Sequence, residues 1–107
     1  MSKGYEMVFA IINSGYSEEV MEAVKACGAT GGTVINARGT ANLEAEKFFG
    51  ISISSEKEIV MIIVKKDIKD RVLKVIYEKV GLSTPGQGIA FSLPVDEAVG
   101  LGKTIEE

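Results

Sequence analysis

The chain has 107 residues, 46% hydrophobic and 25% charged, with a net charge of −3; this suits one domain, residues 1–107, able to bury a core without disulfides or metal. Cys27 is the only cysteine and there is no histidine, which excludes an internal disulfide, a cysteine-based zinc site and the commonest general base. With only two arginines, Arg38 and Arg71, in an acidic chain, the basic surface that displaces counterions from nucleic acid is missing, and no nucleic-acid partner is expected.

In chain order, the opening MSKGYEMVFAII carries a lysine before an apolar run but no small-residue cleavage site, so it is not read as a secretion signal. Tyr5 to Ile12 is bulky, branched and interrupted only by Glu6, the pattern of a buried strand. Asn13-Ser14-Gly15 is turn chemistry. Ser17 is placed as an N-cap, with Glu18 and Glu19 opposing the helix dipole. Val20, Val24 and Cys27 recur at helical spacing and Gly28 is a natural stop. Gly31-Gly32 leads into a short strand, Thr33 to Ala37.

Next comes the connection Gly39 to Lys57, several times the usual hairpin length; loops of that size tend to be functional or disordered. Within it, Leu43, Glu44, Glu46 and Lys47 suit a helical turn, and Ile51 to Ser54 alternates like a strand extension. It also holds Phe48 and Phe49, half of the chain's four phenylalanines. Glu58 to Val64 is a second apolar strand. Its longest uncharged run, Ile59 to Val64, falls far short of the roughly 20 residues of a membrane span, and a soluble, cytoplasmic chain is expected. Lys65 to Lys79 reads as an amphipathic helix with Ile68, Val72, Val75 and Ile76 on its apolar stripe and Lys66, Lys69, Asp70 and Lys74 on its wet face, ended by Gly81. Ile89, Phe91, Leu93 and Val95 alternate with smaller or polar neighbours in a last strand.

The order predicts an α+β, ferredoxin-like βαββαβ sandwich: a four-stranded antiparallel sheet with two helices on one face. Met7, Met61, Ile63 and their neighbours supply more apolar surface than two helices cover. The other face of the sheet is therefore expected to be buried between subunits.

Three stretches carry chemistry. In Gly31 to Ala41, a strand runs into Arg38-Gly39-Thr40: glycine lets backbone N–H groups approach an anion, and arginine grips phosphate with two parallel bonds. The same residues also suit a strand ending in an ordinary glycine turn. Gly86-Gln87-Gly88 suits either a phosphate nest or a plain helix-to-strand turn. Phe48 and Phe49 are either anchors for a partner or aromatics folded back on their own subunit.

Together, GGTVINARGT, a long loop, a strand and helix, and GQGIAFSLPV resemble the PII signal-transduction proteins, also called nitrogen regulatory protein P-II. The resemblance runs from about Met7 to Leu101. It implies a homotrimer that regulates and does not catalyse, with an adenine nucleotide (ATP, ADP or AMP) as effector in clefts between subunits. By position, Thr33 lies near the adenine; Arg38, Gly39, Thr40 and Ala41 form one wall; Gly86, Gln87, Gly88 and Ile89 form the phosphate-side wall. Lys57 lies where the returning loop offers a charge. The loop 39–57 is implied to dock a partner, a membrane transporter or a metabolic enzyme, through Leu43, Phe48 and Phe49.

The departures narrow this. Ser83, Thr84, Pro85, Gln87 and Ile89 stand where the family's second loop carries lysines and another basic residue. The C-terminal AVGLGKTIEE offers only Lys103 in place of phosphate-neutralising arginines. A less charged ligand such as AMP, or a small anion such as bicarbonate, fits these residues better than a triphosphate. Leu43 occupies the position of the glutamine that helps hold magnesium and 2-oxoglutarate in the family; it cannot ligate a metal, and no metal site is assigned. The alternatives are a small-anion or metal-responsive trimer of the same fold, or a small hydrolase. For the hydrolase, Glu56, Glu58 and Asp67 supply acids and Lys65 or Lys66 a nucleophile, with no base in an evident constellation.

Overall fold

The computed structural model of the protein describes residues 3–39 and 56–101. Thr40, Ala41, Leu43, Phe48 and Phe49, the helical turn and strand extension expected beside them, and Lys103 lie outside the described residues.

Strand β1 (Tyr5–Asn13) alternates strictly, every second residue buried. Val8, Ala10 and Ile12 are fully buried on one face, with Met7, Phe9 and Ile11 half-buried on the other. Helix α1 (Ser17–Ala26) buries Val20 and Val24 one turn apart. Its start differs from expectation. Tyr16, not Ser17, is the capping position, and no side chain caps it. Ser17 is the first helical residue, one position too late for its hydroxyl to serve the free N–H groups as an N-cap does. The C-terminal end closes as the sequence requires. Gly28 adopts φ +108°, its N–H donates to Lys25 O at 3.0 Å, and Ala29 N–H donates to Val24 O at 3.1 Å. This is the paired bond pattern for which a left-handed glycine is suited.

Strand β2 is Thr33–Arg38 and β3 is Glu56–Lys65. Glu56 and Lys57, at the end of the predicted connection, thus belong to a strand. After a 3-10 turn at Lys66–Ile68, helix α2 (Lys69–Val80) buries Val72, Ile76 and Val80. Gly81 ends it in extended backbone, φ −67°, and not in the left-handed form. Strand β4 is Ile89–Val95.

The sheet has the order β2-β3-β1-β4, with all three pairings antiparallel. The βαββαβ sandwich is therefore the observed fold. Val8, Ala10, Ile12, Val60, Ile62 and Val64 meet Val20, Val24, Val72, Ile76 and Val80 in one core between sheet and helices. Each such valine or isoleucine contributes about 2 kcal/mol by leaving water. No helix is long and apolar enough to cross a membrane among the described residues.

Among the described residues, no layer covers the opposite sheet face. Phe9 and Phe91, register partners, stack there with centroids 5.2 Å apart. Ile89 and Leu93 beside them are each 50% exposed.

Candidate functional site

Alternation of antiparallel strands brings the ends of β1 and β2 and the starts of β3 and β4 to one pole of the sheet. Arg38 closes β2 opposite Glu56, and Gly39 follows. A Cβ on Gly39 would lie 3.2 Å from Lys57 Cε and 3.3 Å from its Cγ, so the lysine stem packs over the glycine. The Lys57 ammonium then reaches Asn13 Oδ1 at 2.7 Å. Glu58 is occupied structurally: its Oε1 accepts from Gly15 N–H at 3.0 Å.

The Gly81 to Gly88 loop reaches the same pole from α2. Thr84 N–H and Oγ1–H both donate to Gly81 O, at 3.0 and 2.8 Å. Gln87 N–H donates to Thr84 O at 3.0 Å and Gly88 N–H to Val80 O at 2.6 Å. Gln87 adopts φ +44°, with its residue exposed between two buried glycines. A Cβ on Gly88 would lie 2.6 Å from Val80 O and 2.7 Å from Ile12 Cγ2; one on Gly86 would lie 2.8 Å from Val80 Cβ. The glycines are thus required by close packing on α2 and β1. The amides of Gln87 and Gly88 are engaged, by Thr84 O and Val80 O, while the Gln87 side chain is exposed.

Asn13 ties the loop to the sheet. Its backbone N–H donates to Gly86 O at 2.9 Å, and its side-chain Nδ2 donates to Pro85 O at 2.9 Å. Asn13, expected in a turn, is the last residue of β1, and the sequence pattern does not reveal this role. The only signal was its polar side chain at the end of an apolar strand.

Arg38 and Gly39 therefore stand at the β2 edge, while Gly86 to Ile89 stand at the β4 edge, with β3 and β1 between them. Three strand spacings separate the edges by about 14 Å. Thr33 opens β2 opposite Met61, at the far end of that strand from Arg38. Among the described residues, the two walls thus share one pole at opposite edges of the sheet, and Thr33 stands at the other end of β2.

The opposite pole holds an open cavity of about 1150 Å³ lined in part by Lys3, Tyr5, Thr30, Lys65, Lys66 and Asp67. It contains none of the motif residues. Nearby, Lys69 pairs with Asp70 at 3.0 Å, and the hydrogen bond, then the charge, of Asp70 holds the lysine above its ordinary pKa. The acids and lysines considered for catalysis are split between the poles, Glu56 and Glu58 at one and Lys65, Lys66 and Asp67 at the other. No cluster of three or more acidic or cysteine side chains able to hold a metal occurs among the described residues.

Known proteins agree with this architecture. PII of Arabidopsis thaliana, solved bound to citrate, superposes with a TM-score of 0.70 at 26% identity, covering 94% of this chain and 82% of that one. A putative PII-like signaling protein from Thermus thermophilus shares the fold with a TM-score of 0.67 at 22% identity, covering 89% of this chain and 90% of that one. No curated protein matches the sequence. The profile of the nitrogen regulatory protein P-II family, however, matches residues 5–104, a span that includes every strand and helix of the sandwich just described, and the chain belongs to that family.

Proposed function

We propose that the protein is a single-domain, cytoplasmic PII-like sensor: a homotrimer that binds an adenine nucleotide between subunits and regulates a partner through loop 39–57. The observation that carries this reading is the separation of the two motif walls. Arg38-Gly39 and Gly86-Gln87-Gly88-Ile89 share a pole but occupy opposite edges of the sheet, and in this reading a neighbouring chain completes the cleft that brings both onto one ligand. The uncovered face supports the same assembly. Ile35, Ile89, Phe91 and Leu93 leave large apolar surface in water, a feature monomers avoid and closed oligomers bury.

In this reading Thr33 contacts the adenine, Arg38 and the exposed Gln87 side chain approach the phosphates, and Gly39, Thr40, Ala41, Gly86, Gly88 and Ile89 shape the walls. Leu43, Phe48 and Phe49 engage the partner, a transporter or a metabolic enzyme. The role is regulatory and not catalytic, in keeping with the family and with the division of acids and lysines between the poles. With few cations in the walls, AMP or ADP is favoured over ATP.

Light scattering and calorimetry test the proposal together. A trimer is expected at micromolar concentration, with binding of at least one of ATP, ADP, AMP, cyclic AMP, bicarbonate or citrate. Binding only of bicarbonate or citrate would favour the small-anion reading. A monomer that binds nothing in this set at millimolar concentration overturns the sensor.

A further inference from the structure

We propose that Asn13 is a positioning residue, a clasp that passes the state of the loop 39–57 base to the Gly81–Gly88 loop of the same chain. Four contacts carry the inference. The Lys57 stem lies over Gly39, where the chain leaves β2, and its ammonium bonds Asn13 Oδ1 at 2.7 Å. Asn13 then holds the far loop twice, through Nδ2 to Pro85 O and through its backbone N–H to Gly86 O, both at 2.9 Å. Asn13 of β1 thus links Lys57 of β3, and through it Gly39 just after β2, to the loop that precedes β4.

The linkage has a direction. The amide group is planar, so the position of its oxygen sets the position of its nitrogen. While Lys57 donates to Oδ1, the amide is held with Nδ2 facing Pro85. Any anion drawn to Arg38 and Gly39 competes for the Lys57 ammonium, because a charged acceptor bonds an ammonium more strongly than a neutral amide does. Withdrawal of Lys57 frees the amide to rotate, and Pro85 loses its fixed donor. The Pro85–Gly88 segment then rests on its backbone bonds alone, next to the exposed Gln87. The relevance of this to effector binding rests on the sensor reading above; the clasp itself is a property of one ligand-free chain.

Amide hydrogen exchange on the ligand-free trimer or monomer, whichever the protein forms, provides the test. Lys57→Met is expected to speed exchange at Gln87 and Gly88 about fivefold, the loss of one hydrogen bond of about 1 kcal/mol. Ala29 N–H at the other pole serves as the reference and should not change. Lys57→Arg, which keeps a charged donor, should restore slow exchange. Asn13→Ala should act at least as strongly, and adding Lys57→Met to it should have no further effect, because both act through one path. Asn13→Asp, which keeps the acceptor and loses the donor to Pro85, should speed the same two amides if the alanine variant does not fold. Unchanged Gln87 and Gly88 in Lys57→Met, equal acceleration at Ala29, or additive effects in the double variant would overturn the clasp. Since no ligand is added, this result is independent of the binding panel.

Discussion

A methyl group on Gly88 would meet Val80 O at 2.6 Å and Ile12 Cγ2 at 2.7 Å, and neither neighbour is the free end of a flexible side chain. Val80 O also accepts the Gly88 N–H at 2.6 Å, so the added group would strain the bond that docks the loop on α2. Gly88→Ala is therefore expected to destabilise the fold by about 2 kcal/mol, in the range of overpacked cores, measured by urea denaturation. A loss below about 0.5 kcal/mol would show that the loop moves aside freely. Residue identity alone did not reveal this. Gly86-Gln87-Gly88 reads equally as a phosphate nest, and what separates the two roles is contact with residues from α2 and β1, distant in sequence. Asn13 was hidden for the same reason: its side-chain partners lie 44 and 72 positions away.

Periodicity made the elements legible, because a strand half-buried on one face and a helix with one apolar stripe each write their geometry into neighbouring residues. Val20 and Val24, or Val72 and Ile76, show their faces without any tertiary knowledge. Boundaries depend on hydrogen bonds instead, and there the reading erred at Ser17, at Glu56-Lys57, and at Lys65 to Ile68, where the end of β3 and a 3-10 turn stand in place of the expected first turn of the second helix. Helix α1 begins one residue before the position a serine cap would set, since Val20 N–H donates to Tyr16 O at 3.3 Å. Ser17 is thus a first-turn residue making no cap. A true serine N-cap loses about 1 kcal/mol when changed to alanine; Ser17→Ala should change stability by less than about 0.5 kcal/mol, and alanine's helix propensity favours the substitution. A thermal or chemical denaturation shift equivalent to a full cap would restore the sequence-based assignment.

Across the whole molecule, the fold and the family follow from element order and a few motifs, while the site does not: its proposed walls stand at opposite edges of the sheet, and in the sensor reading a neighbouring chain completes the cleft. That distinction has a measurable consequence. Arg38→Ala damages the β2-edge wall and Gln87→Gly removes the side chain of the β4-edge wall while keeping its left-handed backbone, φ +44°. In the sensor reading each variant alone should lose most nucleotide binding. Co-expressed in equal amounts, the two chains assemble into closed rings in which each cleft takes one wall from each of two neighbours. A cleft is intact when its β2-edge wall comes from a Gln87→Gly chain and its β4-edge wall from an Arg38→Ala chain. Random assembly gives each condition a probability of about one half, so about one quarter of the clefts should bind with the native affinity. If both walls served a site within one chain, every site would carry a defect and mixing would recover nothing. Calorimetric stoichiometry on the purified mixed trimer decides between the two arrangements.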